Sequence, residues 1–513
     1  MRTGLFIFIV LIIASHGFGQ QSPKGKQPNI LIIFSDDHAY QAIGAYGNPY
    51  NLTPNIDRIA KEGAVFRNVF VANSLCAPSR ATLLTGKYSH LNGLRVNNIK
   101  NPFNIRQQLV SRILKTHNYQ TAWIGKWHLQ TLPGNAFDYW MVPPDQGNYY
   151  NPDFINMQND TLRMNGYITE LISGMAFDWL DKRDKDKPFF LVIGEKATHR
   201  EWLPDLQDLG AYDSIQFPLP ATFHDLYEGR RAAAEQDMTI AKTMRVREDL
   251  KVHVDYEKDW TYNRFTAEQK KVFSDYYEGK ISREFDERRD SGEALLEWKY
   301  QRYLKDYLSV ARSLDRNIGK VLDYLDKNGL AENTVVIYAS DQGFYMGEHG
   351  WFDKRFMYEE SLRTPFVMRY PGVVQAGSSV SNLLVNIDFA PTLLDIAGIK
   401  APLDMQGQSF LPVLKNKEYK WRDAVYYHYY EYPEPHHVSP HFGIRTYRYK
   451  LIRFYGPFDS WELYDLQKDP GEIQNLYSSK EYASIIAALK KQLNGLIEKY
   501  ADTEAKEILR KSN

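Results

Sequence analysis

Four short apolar runs constrain the fold of this chain most strongly, because each one ends abruptly in polar residues. They are residues 29–34, 121–124, 188–193 and 334–339. Unbroken apolar runs of this length are typical of strands that are buried on both faces of a mostly parallel sheet. Helical spacing of apolar residues separates these runs, most clearly over residues 300–328. The sequence therefore predicts an α/β domain whose sheet is covered by helices on both faces.

The chain divides by composition into a large N-terminal domain, expected at residues 27–384, and a smaller C-terminal subdomain at 385–513. Within the first, residues 205–300 are dense in charged side chains, which predicts a surface insertion of helices and loops. The C-terminal part carries three strand-like runs and one amphipathic helical run, at 426–431, 442–446, 449–454 and 485–500. We expect a small antiparallel sheet with a terminal helix packed on it.

The first residues are typical of a secretory signal peptide. Arg2 precedes an apolar run at residues 5–14 and small residues follow it, so we expect a signal peptide at residues 1–19. The run is too short to span a membrane, and no later segment is apolar enough; the alternative is a buried first strand. Since the chain has a single cysteine, it has no internal disulfide. That suits a bacterial periplasmic protein better than a disulfide-stapled secreted one.

Charge counts exclude a strong field over the whole molecule. Lys plus Arg and Asp plus Glu both number 63, so the molecule as a whole has no field that attracts nucleic acid or an anionic membrane, and no nucleic-acid partner is expected. Any selectivity for an anion must come from a local cluster.

Polar residues follow the predicted strands at the edge where ligands bind in open α/β sheets. Asp36 and Asp37 follow the first run, and Asp341 and Gln342 follow the last. Carboxylate and amide oxygens are hard ligands that suit Ca²⁺ or Mg²⁺ and not zinc. Both carboxylates of the first pair face one ion only if the strand end bends, and a turn or a helix cap is the alternative reading of the pair.

The single cysteine stands in a distinctive run. Taken alone, Cys76 is typical of a small buried hydrophobe. It opens Cys76-Ala77-Pro78-Ser79-Arg80, followed by residues 81–86 with the sequence ATLLTG. This run resembles the signature of the type I sulfatases. Residues 461–472, WELYDLQKDPGE, resemble the C-terminal signature of that family, and the resemblance extends from about Gln27 to Tyr500.

The resemblance implies a large mixed sheet of the alkaline-phosphatase type, sandwiched by helices, with the small C-terminal antiparallel sheet. It implies that a formylglycine-generating or radical maturation enzyme oxidises Cys76 to formylglycine, whose hydrate is the nucleophile. Asp36, Asp37, Asp341 and Gln342 would join the formylglycine oxygen around Ca²⁺, with Mg²⁺ as the alternative. Gln342 stands where many members of the family have Asn.

The resemblance also assigns roles to cations and histidines. Lys126 and Lys354 match the sulfate-binding lysines, and Arg80 matches the arginine that holds the hydrate. His128 is expected to help expel sulfate and regenerate the aldehyde, and His199 to protonate the leaving alcohol. Thr198 stands where the family often has Pro, and His349 is a third histidine candidate, at the sulfate or the sugar.

Residues 340–350, SDQGFYMGEHG, most resemble the branch that acts on 6-O-sulfated N-acetylglucosamine of host glycans. A sulfated saccharide is the expected substrate. Arg200 and Trp202, just after His199, and His437, in a Pro- and Tyr-rich loop with His436 and His441, are the expected saccharide contacts. Two alternatives remain open. One is a phosphonate or phosphodiester hydrolase of the same fold, and the other a glycan-binding protein with unmodified Cys76.

Overall fold

The structure is a computed structural model that describes residues 27–50, 53–97, 102–416 and 418–511. The predicted signal peptide lies outside the described residues. The strands are β1 Asn29–Ser35, β2 Ala64–Phe66, β3 Val69–Phe70, β4 Gln120–Gly125, β5 Tyr139–Met141, β6 Asp153–Ile155, β7 Thr161–Arg163, β8 Phe189–Gly194, β9 Thr334–Ser340, β10 Phe366–Arg369, β11 Ser378–Val380, β12 Leu384–Val385, β13 Ala424–Tyr429, β14 His441–Thr446, β15 Tyr449–Phe454 and β16 Ser460–Asp465.

Helices fill the intervals between the strands. They are α1 Pro54–Glu62, α2 Cys76–Thr85, α3 Ser89–Asn92, α4 Val110–Thr116, α5 Ile168–Lys182, α6 Arg231–Glu235, α7 Ala267–Tyr276, α8 Arg283–Arg288, α9 Gly292–Lys327, α10 Glu359–Leu362, α11 Phe389–Ile396, α12 Leu411–Lys415, α13 Ala483–Lys499 and α14 Thr503–Lys511. A π-helical turn, Tyr277–Ser282, joins α7 to α8.

An eight-stranded mixed sheet organises the N-terminal part, with strand order β11-β2-β10-β9-β1-β8-β4-β5. The central strand β1 runs parallel to both neighbours, β8 and β9. On the other side of β9, β10 is antiparallel. All four apolar runs of the sequence lie in this parallel centre, which confirms the predicted fold class.

Alternate residues of β1 enter two different cores. Leu31 and Ile33 pack in a core that includes Leu308 and Leu314 of α9. Ile30, Ile32 and Phe34 pack on the other face, in a core that helices α2, α4 and α11 share. Because successive side chains of a strand point to opposite faces, both faces need an apolar cover. This accounts for the unbroken apolar run.

The charged segment 205–300 differs in part from its prediction as a surface insertion. It consists largely of turns with the short helices α6, α7 and α8. Yet Ile240, Met244 and Leu250 are fully buried and join the core around α9. Its apolar residues are dispersed and do not form runs, so sequence periodicity does not reveal how they pack.

The four-stranded antiparallel sheet β13-β14-β15-β16 forms the C-terminal part, and α13 packs on it through Leu489, Leu493 and Ile497. This agrees with the predicted sheet and terminal helix. The predicted start of the subdomain at residue 385 precedes α11, whose Leu393 and Leu394 pack against the large sheet. The small sheet itself begins at Ala424.

Among the residues described, no helix combines the length and the apolar character that crossing a membrane requires.

Candidate active site

Side chains from widely separated parts of the chain converge beyond the carboxyl edge of the parallel strands. Asp36 and Asp37 follow β1, and Asp37 has a φ of +59°, so the backbone bends at the strand end. Oxygens of Asp36, Asp37 and Asp341 lie within 4.8 Å of one another, and all three residues are buried. The bend lets adjacent residues point one carboxylate each toward the same space.

Gln342 completes the oxygen cluster. Its Nε2 donates to Asp37 Oδ1 at 2.5 Å. Its Oε1 is buried without a hydrogen-bond partner among the described residues. Leaving a buried acceptor unsatisfied costs about 1–3 kcal/mol, so a ligand that contacts this oxygen would remove that cost. Three carboxylates and an orphaned amide oxygen are the donor set of a hard divalent cation.

Cys76 lies at the first residue of α2, against the oxygen cluster. Its Sγ lies 3.3 Å from Asp36 Oδ1, 3.4 Å from Lys354 Nζ and 3.7 Å from Gln342 Nε2. Burial, partly offset by the charge of Lys354, raises the pKa of the Cys76 thiol to about 12. The side chain therefore stays a thiol near neutral pH, although it is aimed at polar groups and not at a core.

Each of three cations in the site contacts one or more of these carboxylates. Lys126 forms a close ion pair with Asp36. Lys354 lies 2.7 Å from both oxygens of Asp37. Arg80 donates its Nε to Asp341 at 3.1 Å. All six side chains are nearly or fully buried, so their charges act in a dry, weakly screened environment.

A close approach of two glycines positions Lys126. Gly125 ends β4 with a φ of +99°, and a Cβ there would lie 2.0 Å from the carbonyl oxygen of Gly194. A Cβ on Gly194 would in turn lie 2.4 Å from the Lys126 carbonyl oxygen. Only glycine fits at both strand ends, and the contact aims Lys126 into the site. Burial lowers the pKa of Lys126 well below its ordinary value.

His199 and His128 differ in how directly they contact the cluster. Ligand atoms of His199, Asp36 and Cys76 lie within 4.8 Å of one another. Burial, reinforced by the charges of Lys126 and Lys354, lowers the pKa of His199 well below its usual range. His128 joins the site less directly, because Gln146 lies between it and Lys126. Burial lowers the pKa of His128 to about 4.

The structure places two of the predicted saccharide contacts inside the protein. The Trp202 side chain is completely buried and packs on Tyr303 at 4.7 Å between ring centroids. His349 is also completely buried, and its Nδ1 lies 2.7 Å from Asp225 Oδ2. Neither side chain is exposed in this structure. Trp202, which follows His199 closely in the sequence, turns inward because its loop packs on α9.

Arg200 and His437 are at the periphery. Arg200 forms a two-pronged ion pair with Asp249, with both contacts at 2.7 Å. His437 is half exposed and its Nδ1 lies 3.1 Å from Asp237 Oδ2. His441, from the same loop prediction, instead begins β14 and is buried. The contacts with Asp249 and Asp237 occupy the polar groups of Arg200 and His437 that were expected to bind a saccharide.

Sequence reasoning missed a second cluster, next to Lys354. Arg355 pairs with Glu431 at 2.5 Å, and His436 Nε2 lies 3.0 Å from Asp353 Oδ2. A cavity of about 500 Å³ opens there, lined by residues that include Asn97, Arg355 and Glu431. The β13–β14 loop thus lies against the segment that carries Lys354. Proximity in sequence to Lys354 was the only available signal for Asp353 and Arg355.

Lys196 was also missed. Its side chain is buried, with Nζ 4.9 Å above the ring of Tyr149. Among the described residues, this ammonium has no carboxylate partner and no hydrogen-bond acceptor. Burial lowers the pKa of Lys126, the charge of Asp341 raises it, and the charge of Lys196 lowers it further. Lys196 therefore adds positive potential to the site.

Comparison with known proteins identifies this constellation. The Sulfatase family model matches residues 28–399. The chain belongs to the sulfatase family. A second family model, described as N-sulphoglucosamine sulphohydrolase, C-terminal, matches residues 347–499. The sulfatase signature read from residues 76–80 is therefore confirmed, and the protein is a sulfuric ester hydrolase.

Individual relatives agree with the family assignment. The sulfatase is 45% identical to an N-acetylglucosamine-6-O-sulfatase of Bacteroides thetaiotaomicron, over 95% of this chain and 89% of that protein. It is 26% identical to an ulvan-active sulfatase of Formosa agariphila, over 94% of this chain and 83% of that one. A solved structure in complex with its substrate D-glucosamine-2-N,6-O-disulfate superimposes with a TM-score of 0.90 and 44% identity, covering 93% and 99% of the two chains.

Proposed function

We propose that this sulfatase removes 6-O-sulfate from N-acetylglucosamine units of sulfated host glycans. The observation that carries the proposal is the 45% identity, over nearly the full chain, to an N-acetylglucosamine-6-O-sulfatase. The likeness to a solved complex with a 6-O-sulfated glucosamine supports it.

Cys76 is the proposed nucleophile precursor. Converted to formylglycine by a formylglycine-generating or radical maturation enzyme, the residue supplies a hydrate hydroxyl that attacks sulfur. Lys354 Nζ lies 3.4 Å from the Cys76 Sγ, and Arg80 follows about one turn later on α2, so both are positioned near the nucleophile. The position at the first turn of α2, where backbone N–H groups favour negative charge, supports the same role.

Asp36, Asp37, Asp341 and Gln342 are the proposed ligands of one divalent cation, Ca²⁺ or Mg²⁺. The orphaned Gln342 Oε1 and the three clustered carboxylates support this assignment. A cation held by these residues would supply Lewis-acid stabilisation of negative charge at the reacting groups. It would also balance part of the buried negative charge of Asp36, Asp37 and Asp341.

Lys126, Lys354 and Lys196 are the proposed cations for the sulfate group. Preorganised cations in a dry site stabilise a developing charge without reorganising at the moment of reaction. Lys196 is the member whose ammonium has no carboxylate contact among the described residues. It therefore offers its hydrogen bonds to an incoming anion at no cost in broken ion pairs.

His199 is the proposed acid for the leaving alcohol. Its Nδ1 lies 2.7 Å from the carbonyl oxygen of Arg200, which leaves Nε2 for the site. A bound sulfate ester adds negative charge next to the ring and favours its protonated form. His128 is the proposed group that later takes a proton as sulfate is expelled.

The cavity next to Arg355 is the proposed saccharide pocket. At about 500 Å³ it has the size of a small-ligand site, and it adjoins Lys354. Arg355, Glu431 and Asn97 offer donors and acceptors for hydroxyl and acetamido groups. Such contacts discriminate strongly, because a sugar that lacks the matching group leaves buried polar atoms unpaired. His437 stays at the outer margin of this loop, and Arg200 at the rim near His199.

The proposal includes export to a bacterial periplasm, on the basis of the signal-like residues 1–19. Determination of the N-terminus of the mature protein from a periplasmic fraction tests it. A chain that retains residue 1 and fractionates with the cytoplasm contradicts it.

A substrate panel tests the proposed activity. We expect turnover of 6-O-sulfated N-acetylglucosamine to exceed that of its 3-O-sulfated isomer, an aryl sulfate and a phosphonate monoester. Highest turnover of the phosphonate or of a phosphodiester instead supports the alternative hydrolase. Intact-mass analysis of the Cys76 peptide decides the remaining alternative, since a fully unmodified cysteine with retained glycan affinity indicates a binding protein.

A further inference from the structure

Gln146 lies between two groups of the active site and contacts both of them. It follows β5, at the same edge of the sheet as the ends of β1 and β4. Its Oε1 accepts a close hydrogen bond from the Lys126 ammonium. Its Nε2 lies 2.9 Å from His128 Nε2. Gln146 belongs neither to an apolar strand run nor to a family signature of the sequence.

The orientation of the Gln146 amide follows from its two neighbours. Lys126 forms a close ion pair with Asp36, and the paired ammonium has only donors, so the amide must turn its oxygen toward Lys126. The amide nitrogen, which also has only donors, then faces His128. A reversed amide would place NH₂ against NH₃⁺, with two donors in contact and no acceptor. Lys126 therefore determines which atom of Gln146 meets the imidazole.

The imidazole must accept at the nitrogen that meets an amide donor. Burial lowers the pKa of His128 to about 4, so the ring is neutral near pH 7 and carries one N–H. With Nε2 accepting, that proton is on Nδ1. Nδ1 is buried and has no hydrogen-bond partner among the described residues, so no protein group specifies the tautomer from that side.

We propose that Gln146 is a positioning residue that holds His128 as the Nδ1–H tautomer and so presents a basic Nε2 at the active site. The inference deepens the proposed sulfatase mechanism and rests on it for the role of His128 as a proton acceptor. Lys126 and His128 thereby become one hydrogen-bonded unit, Lys126–Gln146–His128. A proton accepted at Nε2 replaces the hydrogen bond from the amide.

Asp145 is the competing influence on the ring. One of its carboxylate oxygens lies 3.4 Å from His128 Nε2 and would favour a proton on that nitrogen. Its side chain is 70% exposed, so water screens it, whereas the Gln146 contact is shorter and tied to a buried ammonium. The shorter contact and the greater burial therefore both favour a hydrogen bond from the Gln146 amide to His128 Nε2 over a proton held there by Asp145.

Nitrogen NMR of the unconverted, Cys76-containing chain tests the tautomer without requiring activity. In ¹⁵N-histidine-labelled protein at pH 7, with the His128 signals assigned by their loss in His128→Asn, we expect a protonated Nδ1 and an unprotonated Nε2. Gln146→Glu turns an acceptor toward the ring and should move the proton to Nε2. Asp145→Asn, the matched control, should leave it on Nδ1.

Kinetics of the converted enzyme give the second readout. Gln146→Glu should lower kcat by about 10²-fold, within the range for general base catalysis, with KM changed less than threefold. A protonated Nε2 in the wild-type chain, or a tautomer unchanged in Gln146→Glu, overturns the inference even where the enzyme proves to be the proposed sulfatase. If Gln146→Glu fails to fold, the wild-type and Asp145→Asn spectra still decide. A correct tautomer in a protein without sulfatase activity faults the proposed substrate or conversion and leaves the positioning role standing.

Discussion

The Lys354 ammonium lies 2.7 Å from both carboxylate oxygens of Asp37 and 3.4 Å from the Sγ of Cys76. Burial opposes the charge on Lys354, yet the carboxylate of Asp37 raises the pKa of Lys354 above its ordinary value. The ammonium therefore remains charged at any pH that the folded protein tolerates. One fixed cation thus connects the proposed metal site to the proposed nucleophile.

Cys76→Ala should abolish sulfatase turnover without unfolding the protein. Loss of the nucleophile precursor is expected to lower kcat on the order of 10⁶-fold, as for other nucleophile deletions. The side chain is small and faces polar groups, so the melting temperature should change by only a few degrees. Steady-state kinetics and thermal unfolding measure both effects. Wild-type activity in a folded Cys76→Ala protein would falsify the nucleophile assignment.

Removal of the metal should inactivate the enzyme reversibly. We expect chelation to lower activity, and Ca²⁺ or Mg²⁺ to restore it, because the ligands proposed around Gln342 are all oxygens. Asp341→Asn should weaken metal binding measured by calorimetry. Asp404→Asn, an exposed carboxylate paired with Lys87, is the matched control and should bind normally. Tight binding of zinc alone counts against the oxygen-ligand site.

Arg355→Lys should impair the saccharide reaction selectively. Lysine keeps the charge but loses the planar fork of donors, so contacts in the cavity weaken while the sulfate group is still held. We expect kcat/KM to fall about 10–100-fold on the sulfated saccharide, roughly 1–3 kcal/mol, and less than threefold on a small aryl sulfate. Equal losses on both substrates place Arg355 in the catalytic machinery instead.

Trp202→Ala should destabilise the fold and not the saccharide complex. Removing a fully buried indole costs about 3–5 kcal/mol, measured as the free energy of unfolding in urea. Activity per folded molecule should fall similarly on saccharide and aryl sulfate. His437→Ala, on the half-exposed part of the β13–β14 loop, should leave stability within about 0.5 kcal/mol. A selective saccharide defect in Trp202→Ala restores its original assignment.

His441 should make the protein sensitive to acid. Its ring is buried, accepts from the Met357 N–H at 3.0 Å, and has its pKa lowered by burial from 6.5 to about 3. Below pH 6.5 the unfolded chain binds a proton that the native protein does not, so stability falls as the pH decreases toward 3. One histidine contributes about 1.4 kcal/mol per pH unit in that window.

Urea unfolding of His441→Gln across pH 4.5–6.0 measures this contribution. In the variant, the free energy of unfolding should depend less steeply on pH than in wild type, by about 1.4 kcal/mol per pH unit. Glutamine keeps an acceptor and a donor but does not titrate. An unchanged slope in His441→Gln would show that another group titrates instead.

The strand-end residues illustrate how far sequence reasoning extended into the site. Asp36, Asp37, Asp341 and Gln342 follow apolar runs directly, and the parallel-sheet rule brings such ends together. Cys76, Lys126 and Lys354 required the family resemblance, because a lone cysteine or lysine has no pattern of its own. Asp353, Arg355 and Gln146 had neither signal, since their neighbours in space come from distant loops.

The sequence by itself determined the α/β class, the central parallel strands and the sulfatase signature. Local apolar periodicity and a short reactive motif encode these features, and both are read without knowing the packing. Only the tertiary structure decided that Trp202 and His349 face inward, that the β13–β14 loop lies against Arg355, and that Gln146 joins Lys126 to His128. The physical reason is that side-chain direction in irregular segments depends on which distant surfaces they bury. A loop has no period of its own to reveal that choice.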